Sequence, residues 1–234
     1  MMKIYIYLLI FSSYLFSSSQ IVFVLANTNK SQKAKLITYE KINNHFKQIS
    51  KPIDVNIGQN GLAWGISDLF ILDKKQLNLK VEGDKKAVKG VYKLSKVYGY
   101  SKNVDTKMPY IQSSKNLICV DDISSSNYNK IVKTNNKKEY NSYENMLLSN
   151  ETYEYLIKVE HNEKALKSKG SCIFLHVENP KKKQTSGCTS MKINQIKKLI
   201  SWLDIKKEPI LIQVDKFSCL TMKKKYPFLN CKID

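Results

Sequence analysis

The chain has 234 residues, with 39 basic and 20 acidic side chains, and its formal net charge is +19 at pH 7. This length suits one single-core domain with an additional N-terminal element. Every basic residue is lysine. Proteins that recognise nucleic acids often use the bidentate hydrogen bonds that arginine makes to bases and phosphates. A composition without arginine therefore argues against a nucleic-acid-binding protein. The scattered lysines suit contact with an anionic envelope matrix, and a coding bias toward Lys and Asn is the alternative explanation.

The first segment has the features of an export signal. Lys3 gives it a positive start, residues 4–16 are mostly apolar, and Val24-Leu25-Ala26 offers small residues for cleavage. We therefore predict a signal peptide over residues 1–26. The alternative is an uncleaved membrane anchor, since the apolar segment nearly reaches the length that spans a bilayer.

The polar segment that follows, residues 27–54, is interpreted as an N-terminal extension. A helix is predicted over Lys41 to Ile49, with His45 exposed to solvent. A second short helix is predicted over Tyr143 to Leu148.

Strand patterns fill most of the remaining chain. Strand material begins at Ile53, and apolar or alternating runs bounded by turn residues predict further strands over residues 77–81, 90–94, 116–120, 155–159 and 209–214. The fold class is therefore mainly β with a few helices, arranged as a β-sandwich. His161 follows one of these strands and is interpreted as a hydrogen-bonding residue, since nothing nucleophilic comes after it.

One stretch near the C-terminal end combines a histidine with a cysteine. An apolar run ends at His176, and a small-residue turn, Thr185-Ser186-Gly187-Cys188, follows after a polar loop. A thiolate is the nucleophilic form of cysteine, and an imidazole can remove its proton and stabilise the charge. A structural role for both residues is the alternative, because such a pair is catalytic only when the fold brings it together.

Residues after Cys188 have a helical pattern, with Ile193, Ile196, Ile200 and Leu203 on one face. We predict that this helix starts just past Cys188, capped by Thr189 or Ser190. Its positive dipole end would then lie near the sulfur and lower the thiol pKa.

Five cysteines in an exported chain leave one unpaired. We expect Cys188 to be free and Cys219 to pair with Cys231. Cys119 and Cys172 then form a second bridge or stay as buried thiols. No metal-binding spacing of Cys and His and no glycine-rich phosphate loop occurs in the sequence, so no metal or cofactor is expected.

Two blocks of the sequence resemble the catalytic domain of the L,D-transpeptidases (YkuD-like). His176 followed by Thr185-Ser186-Gly187-Cys188 is similar to the family's histidine, loop and Ser/Thr-x-Gly-Cys. Upstream, the block from Lys80 to Tyr92, which contains Glu82-Gly83-Asp84, looks like a second family segment. The resemblance covers residues 55–214, which leaves residues 215–234 as a C-terminal tail.

Three residues and one loop depart from the family pattern. Val88 stands where Pro is usual, Val177 where Gly is common, and Ser190 where many members carry Arg or Asn. The loop between His176 and Thr185 is also short. These departures spare the nucleophile and base but change the predicted walls of the site.

The resemblance implies a cysteine enzyme that acts on peptidoglycan tetrapeptide stems. Cys188 would attack the carbonyl of the third residue and expel the terminal D-alanine, with His176 as base and later as acid. Backbone N–H groups of Ser186, Gly187 and Cys188 would hold the oxyanion, and Thr185 would help to orient His176.

Tyr110 and Ser190 are the predicted substrate-binding residues. Stem peptides are the expected partners of a monomer in the periplasm or cell envelope, with no nucleic acid bound and membrane contact only through an uncleaved signal segment. Cross-linking to a second stem is the expected outcome. The alternatives are an L,D-carboxypeptidase that trims tetrapeptide to tripeptide and a catalytically silent cell-wall-binding protein.

Overall fold

The computed structural model describes residues 18–69, 78–181 and 184–232, and strands account for most of the regular structure there. In chain order the strands are β1 (Gln20–Ala26), β2 (Lys33–Ile42), β3 (His45–Gln48), β4 (Ile53–Asn56), β5 (Leu62–Trp64), β6 (Ala87–Gly99), β7 (Tyr110–Gln112), β8 (Leu117–Val120), β9 (Ile131–Lys133), β10 (Tyr143–Asn145), β11 (Tyr155–Val159), β12 (Phe174–Val177), β13 (Thr189–Met191) and β14 (Ile210–Asp215). The α-helices of these ranges are α1 (Ile193–Trp202) and α2 (Lys216–Met222). The predicted fold class, mainly β with a few helices, is confirmed.

The strand pairings of the main sheet close on themselves. The order is β1, β14, β6, β11, β12, β13, β4 and β2, and β2 pairs again with β1. The pairs β1–β14 and β12–β13 are parallel, whereas the other neighbours in this circuit are antiparallel. The first and last strands of the described fold are therefore direct neighbours.

Both faces of β1 are buried. Val22, Val24 and Ala26 join the core cluster that also contains α1, while Ile21, Phe23 and Leu25 join the cluster on the other side, beside α2. A cut at the predicted signal-peptide boundary, after residue 26, would remove this core strand. Residues 1–17 of the predicted signal peptide lie outside the described residues.

The segment predicted as an N-terminal extension is part of the main sheet. Residues 41–49 form no helix, since β2 and β3 pair there as an antiparallel hairpin. Asn43 and Asn44 both have positive φ, 51° and 63°, which fits the two-residue turn that joins twisted hairpin strands. His45 is exposed, as predicted, although it lies on a strand.

A separate three-stranded sheet, in the order β10, β8, β9, lies beside the main sheet. The helix predicted over residues 143–148 is wrong, because Tyr143–Asn145 pairs with β8 instead. A disulfide between Cys119 on β8 and Cys172 fastens this small sheet just before β12. The predicted Cys219–Cys231 bridge is also present.

The other predicted strands agree with the structure to within a few residues, apart from the one over residues 77–81. Residue 77 is outside the described residues, and Leu79 makes only a single bridge with Trp64. In the described ranges, no helix is long and apolar enough to span a bilayer.

Candidate active site

The turn before β13 presents Cys188 and is tied together by one hydroxyl. Thr185 Oγ1 donates to the Cys188 carbonyl at 2.5 Å and accepts from the Gly187 N–H at 3.3 Å. Gly187 has φ +147°, a conformation that other residues rarely adopt. Thr185 therefore shapes the cysteine turn, whereas the sequence predicted that it orients His176.

Cys188 is a free cysteine and is only 8% exposed. Its thiol donates to the Cys172 carbonyl at 3.6 Å and accepts from the Phe174 N–H at 3.3 Å. Burial raises the pKa of the thiol, and the Glu144 carboxylate raises it further, while the Phe174 N–H and the Lys80 ammonium lower it. The resting group is therefore a neutral thiol held by the backbone at the start of β12.

His176 lies on β12, and the parallel β12–β13 pairing sets it opposite Ser190. Its Nδ1 is 2.7 Å from the Val177 carbonyl, which can only accept, so Nδ1 carries the proton and Nε2 keeps a lone pair. Burial lowers the pKa of His176 to about 4. The imidazole is therefore neutral near pH 7 and has a nitrogen able to take a proton.

Cys188 and His176 line one cavity of about 450 Å³. Four other predicted site residues also line this cavity, namely Thr185, Ser186, Gly187 and Ser190. Ionisable side chains also line it, namely Lys80, Glu82, Lys85, Asp121, Glu144 and Tyr153. The structure thus brings the predicted nucleophile, base and turn together in a largely polar site.

Tyr110 does not line this cavity, so the structure does not bring it together with the predicted nucleophile and base. It packs against the main core on β7, and its hydroxyl donates to the Ser101 carbonyl. Ser190, in contrast, is 1% exposed, and its Oγ has no hydrogen-bond partner among the described residues. A buried polar atom is normally paired, so the unpaired hydroxyl of Ser190 is an exception to that rule.

Sequence reasoning missed two residues that contact or line the site. The Tyr153 ring packs edge-on against the His176 ring at 5.4 Å between centroids, and its hydroxyl donates to Glu144 at 2.7 Å. Burial raises the pKa of Glu144 to about 7. Neither residue lies near His176 or Cys188 in the sequence, so no local motif pointed to them.

The helix predicted to begin just past Cys188 begins later. Thr189–Met191 forms β13, and Lys192 is the N-cap residue of α1, with its backbone N–H bonded to the Gln195 side chain at 3.3 Å. Thr189 and Ser190 therefore do not cap it. The positive end of α1 is separated from the sulfur by a strand.

His161 has the structural role that the sequence predicted. Its Nδ1 accepts from the Ile66 N–H at 3.2 Å, and its Nε2 is 2.9 Å from the Lys169 carbonyl. No group of three or more His, Cys, Asp or Glu side chains in the described part of the chain is placed to hold a metal ion.

Comparison with known proteins places this site in context. A family model described as the L,D-transpeptidase catalytic domain matches residues 24–212. No curated protein sequence is significantly similar to the chain.

Two solved structures match the chain at low similarity. The helical cell shape determining protein Pgp2 from Campylobacter jejuni is 11% identical, with a TM-score of 0.41, and the match covers 85% of this chain and 48% of that one. Bd1075 from Bdellovibrio bacteriovorus is 14% identical, with a TM-score of 0.41, and the match covers 86% of this chain and 52% of that one. The matched part is therefore about half the length of each of these proteins.

Proposed function

Because this chain belongs to the L,D-transpeptidase catalytic domain family, whose members act on the peptide stems of peptidoglycan, we propose that it is a cysteine acyltransferase of the cell wall. The observation that carries the proposal is the shared cavity of Cys188 and His176. The proposed donor is a tetrapeptide stem, and the proposed location is the periplasm or cell envelope.

Acylation begins from two neutral groups. His176 Nε2 takes the Cys188 proton as the sulfur attacks the carbonyl carbon of the third stem residue. The backbone N–H groups of Ser186, Gly187 and Cys188 receive the oxyanion. When the tetrahedral intermediate collapses, the bond to the terminal D-alanine nitrogen breaks, and the imidazolium returns the proton to that leaving amine. A thioester on Cys188 remains.

The thioester is resolved by an amine of a second stem, which takes the acyl group and gives a cross-link. His176 again removes the proton from the attacking amine and returns it to the departing sulfur. If water is the acceptor, the same steps give a tripeptide and make the protein an L,D-carboxypeptidase. The unpaired hydroxyl of Ser190 is proposed to hold a polar group of the stem in either case.

Product analysis tests this function. The protein is incubated with disaccharide tetrapeptide, and products and intact protein are identified by mass. Free D-alanine together with dimers joined through third residues is the expected result, whereas only tripeptide and D-alanine would identify a carboxypeptidase. Cys188→Ala and His176→Ala should each lower turnover by a factor on the order of 10³ or more. Turnover of Cys188→Ala within about tenfold of the native protein would end the thiol mechanism.

A catalytically silent wall-binding protein is the second candidate, and the burial of the Cys188 thiol favours it. The two candidates differ in acylation. A mass increase on Cys188 after incubation with tetrapeptide or a carbapenem supports the enzyme. Wall binding without any adduct on Cys188 would support the silent protein.

A further inference from the structure

A buried lysine lies next to the turn that carries Cys188. Lys80 is 4% exposed and lines the same cavity as Cys188 and His176. A Cβ built on Gly187 would lie 3.5 Å from its Nζ. The ammonium is therefore adjacent to the residue that precedes the nucleophile.

One glycine, Gly170, leaves the space that the Lys80 side chain occupies. A Cβ on Gly170, which has φ +90°, would lie 2.8 Å from Lys80 Cγ and 3.0 Å from its Cε. A Cβ on Gly187 would be in ordinary van der Waals contact with the ammonium, so this position does not crowd it. A larger residue at position 170 would collide with the lysine stem, so Gly170 is what admits Lys80.

Asp84 fixes the ammonium in place. Its carboxylate accepts from the backbone N–H groups of Val81 at 3.0 Å and Lys86 at 2.8 Å, and it forms an ion pair with Lys80. Lys80 Nζ also donates to the Val81 carbonyl at 3.4 Å. These two acceptors use two of the three N–H donors, and the third has no acceptor among the described residues.

A positive charge near Cys188 would offset the features of the site that disfavour its thiolate. Burial and the Glu144 carboxylate disfavour a thiolate, and α1 begins beyond β13, so its N-terminus does not supply a positive end at the sulfur. The neutral His176 adds no charge at rest. Besides Lys80, Cys188 and His176, the titratable groups that line the cavity are Glu82, Lys85, Asp121, Glu144 and Tyr153.

We propose that Lys80 is a positioning residue whose fixed ammonium stabilises the Cys188 thiolate and so sets the pH range in which the thiol reacts. The proposal rests on the proposed function only in taking Cys188 as the nucleophile. It also gives a role to the upstream block that contains Asp84, since that block holds the cation in place.

Alkylation of Cys188 by iodoacetamide tests the proposal without any peptidoglycan substrate. The other four cysteines are in disulfides, so the mass of the intact protein reports one thiol. The rate is measured between about pH 6 and pH 11, because burial raises the pKa of the Cys188 thiol above its ordinary value and the rate below the midpoint follows the thiolate fraction. In Lys80→Met the midpoint should rise by roughly one pH unit, and alkylation near pH 7 should slow about tenfold. Lys80→Arg, which keeps the charge, should retain most of the native rate.

Two further variants separate this effect from a loss of folding. Lys80→Met leaves Asp84 without its cation, so the double variant Lys80→Met/Asp84→Asn is made as well. The matched control is Lys89→Met/Asp215→Asn, which removes a buried ion pair of 2.9 Å that does not line the cavity.

The proposal is supported if the Lys80 double variant folds, shifts the alkylation midpoint upward, and the Lys89 control does not. An unshifted midpoint, or an equal shift in the control, would overturn it. Loss of folding in the Lys80 double variant alone would assign Lys80 a purely structural role and overturn it too. Failure of the proposed function is a separate result, since it would appear as native turnover in Cys188→Ala, or as no adduct on Cys188 after incubation with tetrapeptide, whatever the alkylation rates are.

Discussion

Two buried imidazoles make the fold sensitive to acid. Burial lowers the pKa of His161 and of His176 to about 4. Each therefore contributes stability that is present above its unfolded pKa of roughly 6.5 and is lost as the pH falls toward about 4. Glu144 acts in the opposite sense. Burial raises its pKa to about 7, so its contribution is present below roughly pH 4.5 and is lost as the pH rises through about 7.

Between about pH 4.5 and 6.5 the two imidazoles change the free energy of unfolding more than the one carboxyl does, and in the opposite direction. We predict that the free energy of unfolding falls by roughly 1.4 kcal/mol for each unit of decreasing pH in this window. Urea unfolding at several pH values measures it. His161 lies outside the cavity. His161→Gln should flatten the slope, because the opposite effects of His176 and Glu144 on the unfolding free energy then cancel. A slope that stays the same in this variant would contradict the argument.

At the residue scale, the sequence predicted the candidate nucleophile and base of the cavity better than the residues around them. Thiol and imidazole chemistry pointed to Cys188 and His176, and the structure places both in one cavity. The partner of Thr185 depends on how the turn folds back, which residue types alone do not determine. Tyr153 and Glu144 reach the site through tertiary packing, so only the fold reveals them.

Among the secondary-structure elements, β1 differs most from what the sequence predicts for its residues. A strand buried on both faces is a continuous apolar run, and such a run has the same composition as the apolar part of a signal peptide. The sequence therefore placed the cleavage site at the end of a core strand. The polar sequence of residues 41–49 predicts a helix, whereas the turn at Asn43 and Asn44 folds this segment into the hairpin of β2 and β3.

A truncation series tests the importance of β1. A chain that begins at Ser18 should fold, whereas a chain that begins at Asn27 should not, because it lacks the strand between β14 and β2. Circular dichroism and thermal unfolding measure the difference. A cooperative transition in the chain that begins at Asn27 would show that the strand is dispensable. If the chain is processed on export, we expect the mature N-terminus upstream of Gln20.

At the scale of the whole molecule, one disulfide joins two sheets. Cys119–Cys172 links the small sheet to the main sheet, and the cavity takes Glu144 from the small sheet and Cys188 from the main one. Its loop of 53 residues is much longer than the 12-residue loop of Cys219–Cys231. The first bridge therefore constrains the site, and the second constrains only the tail.

Removing each bridge separately distinguishes these roles. On the chain-entropy model, Cys119→Ser/Cys172→Ser should cost about 4 kcal/mol of unfolding free energy, and Cys219→Ser/Cys231→Ser about 3 kcal/mol. Chemical unfolding measures both. The Cys119→Ser/Cys172→Ser variant should also slow acylation of Cys188, because the cavity wall that carries Glu144 is no longer fastened. The Cys219→Ser/Cys231→Ser variant should leave acylation nearly unchanged. Equal acylation in the two variants would contradict this assignment.

The parallel pairing of β1 with β14 has a consequence for synthesis. Since β1 ends at Ala26 and its parallel partner β14 begins only at Ile210, a growing polypeptide cannot complete the neighbours of β1 until β14 has been synthesised. Contacts of such high sequence separation form slowly. The nascent chain therefore remains unfolded until β14 is made, and an unfolded chain can pass through a narrow channel.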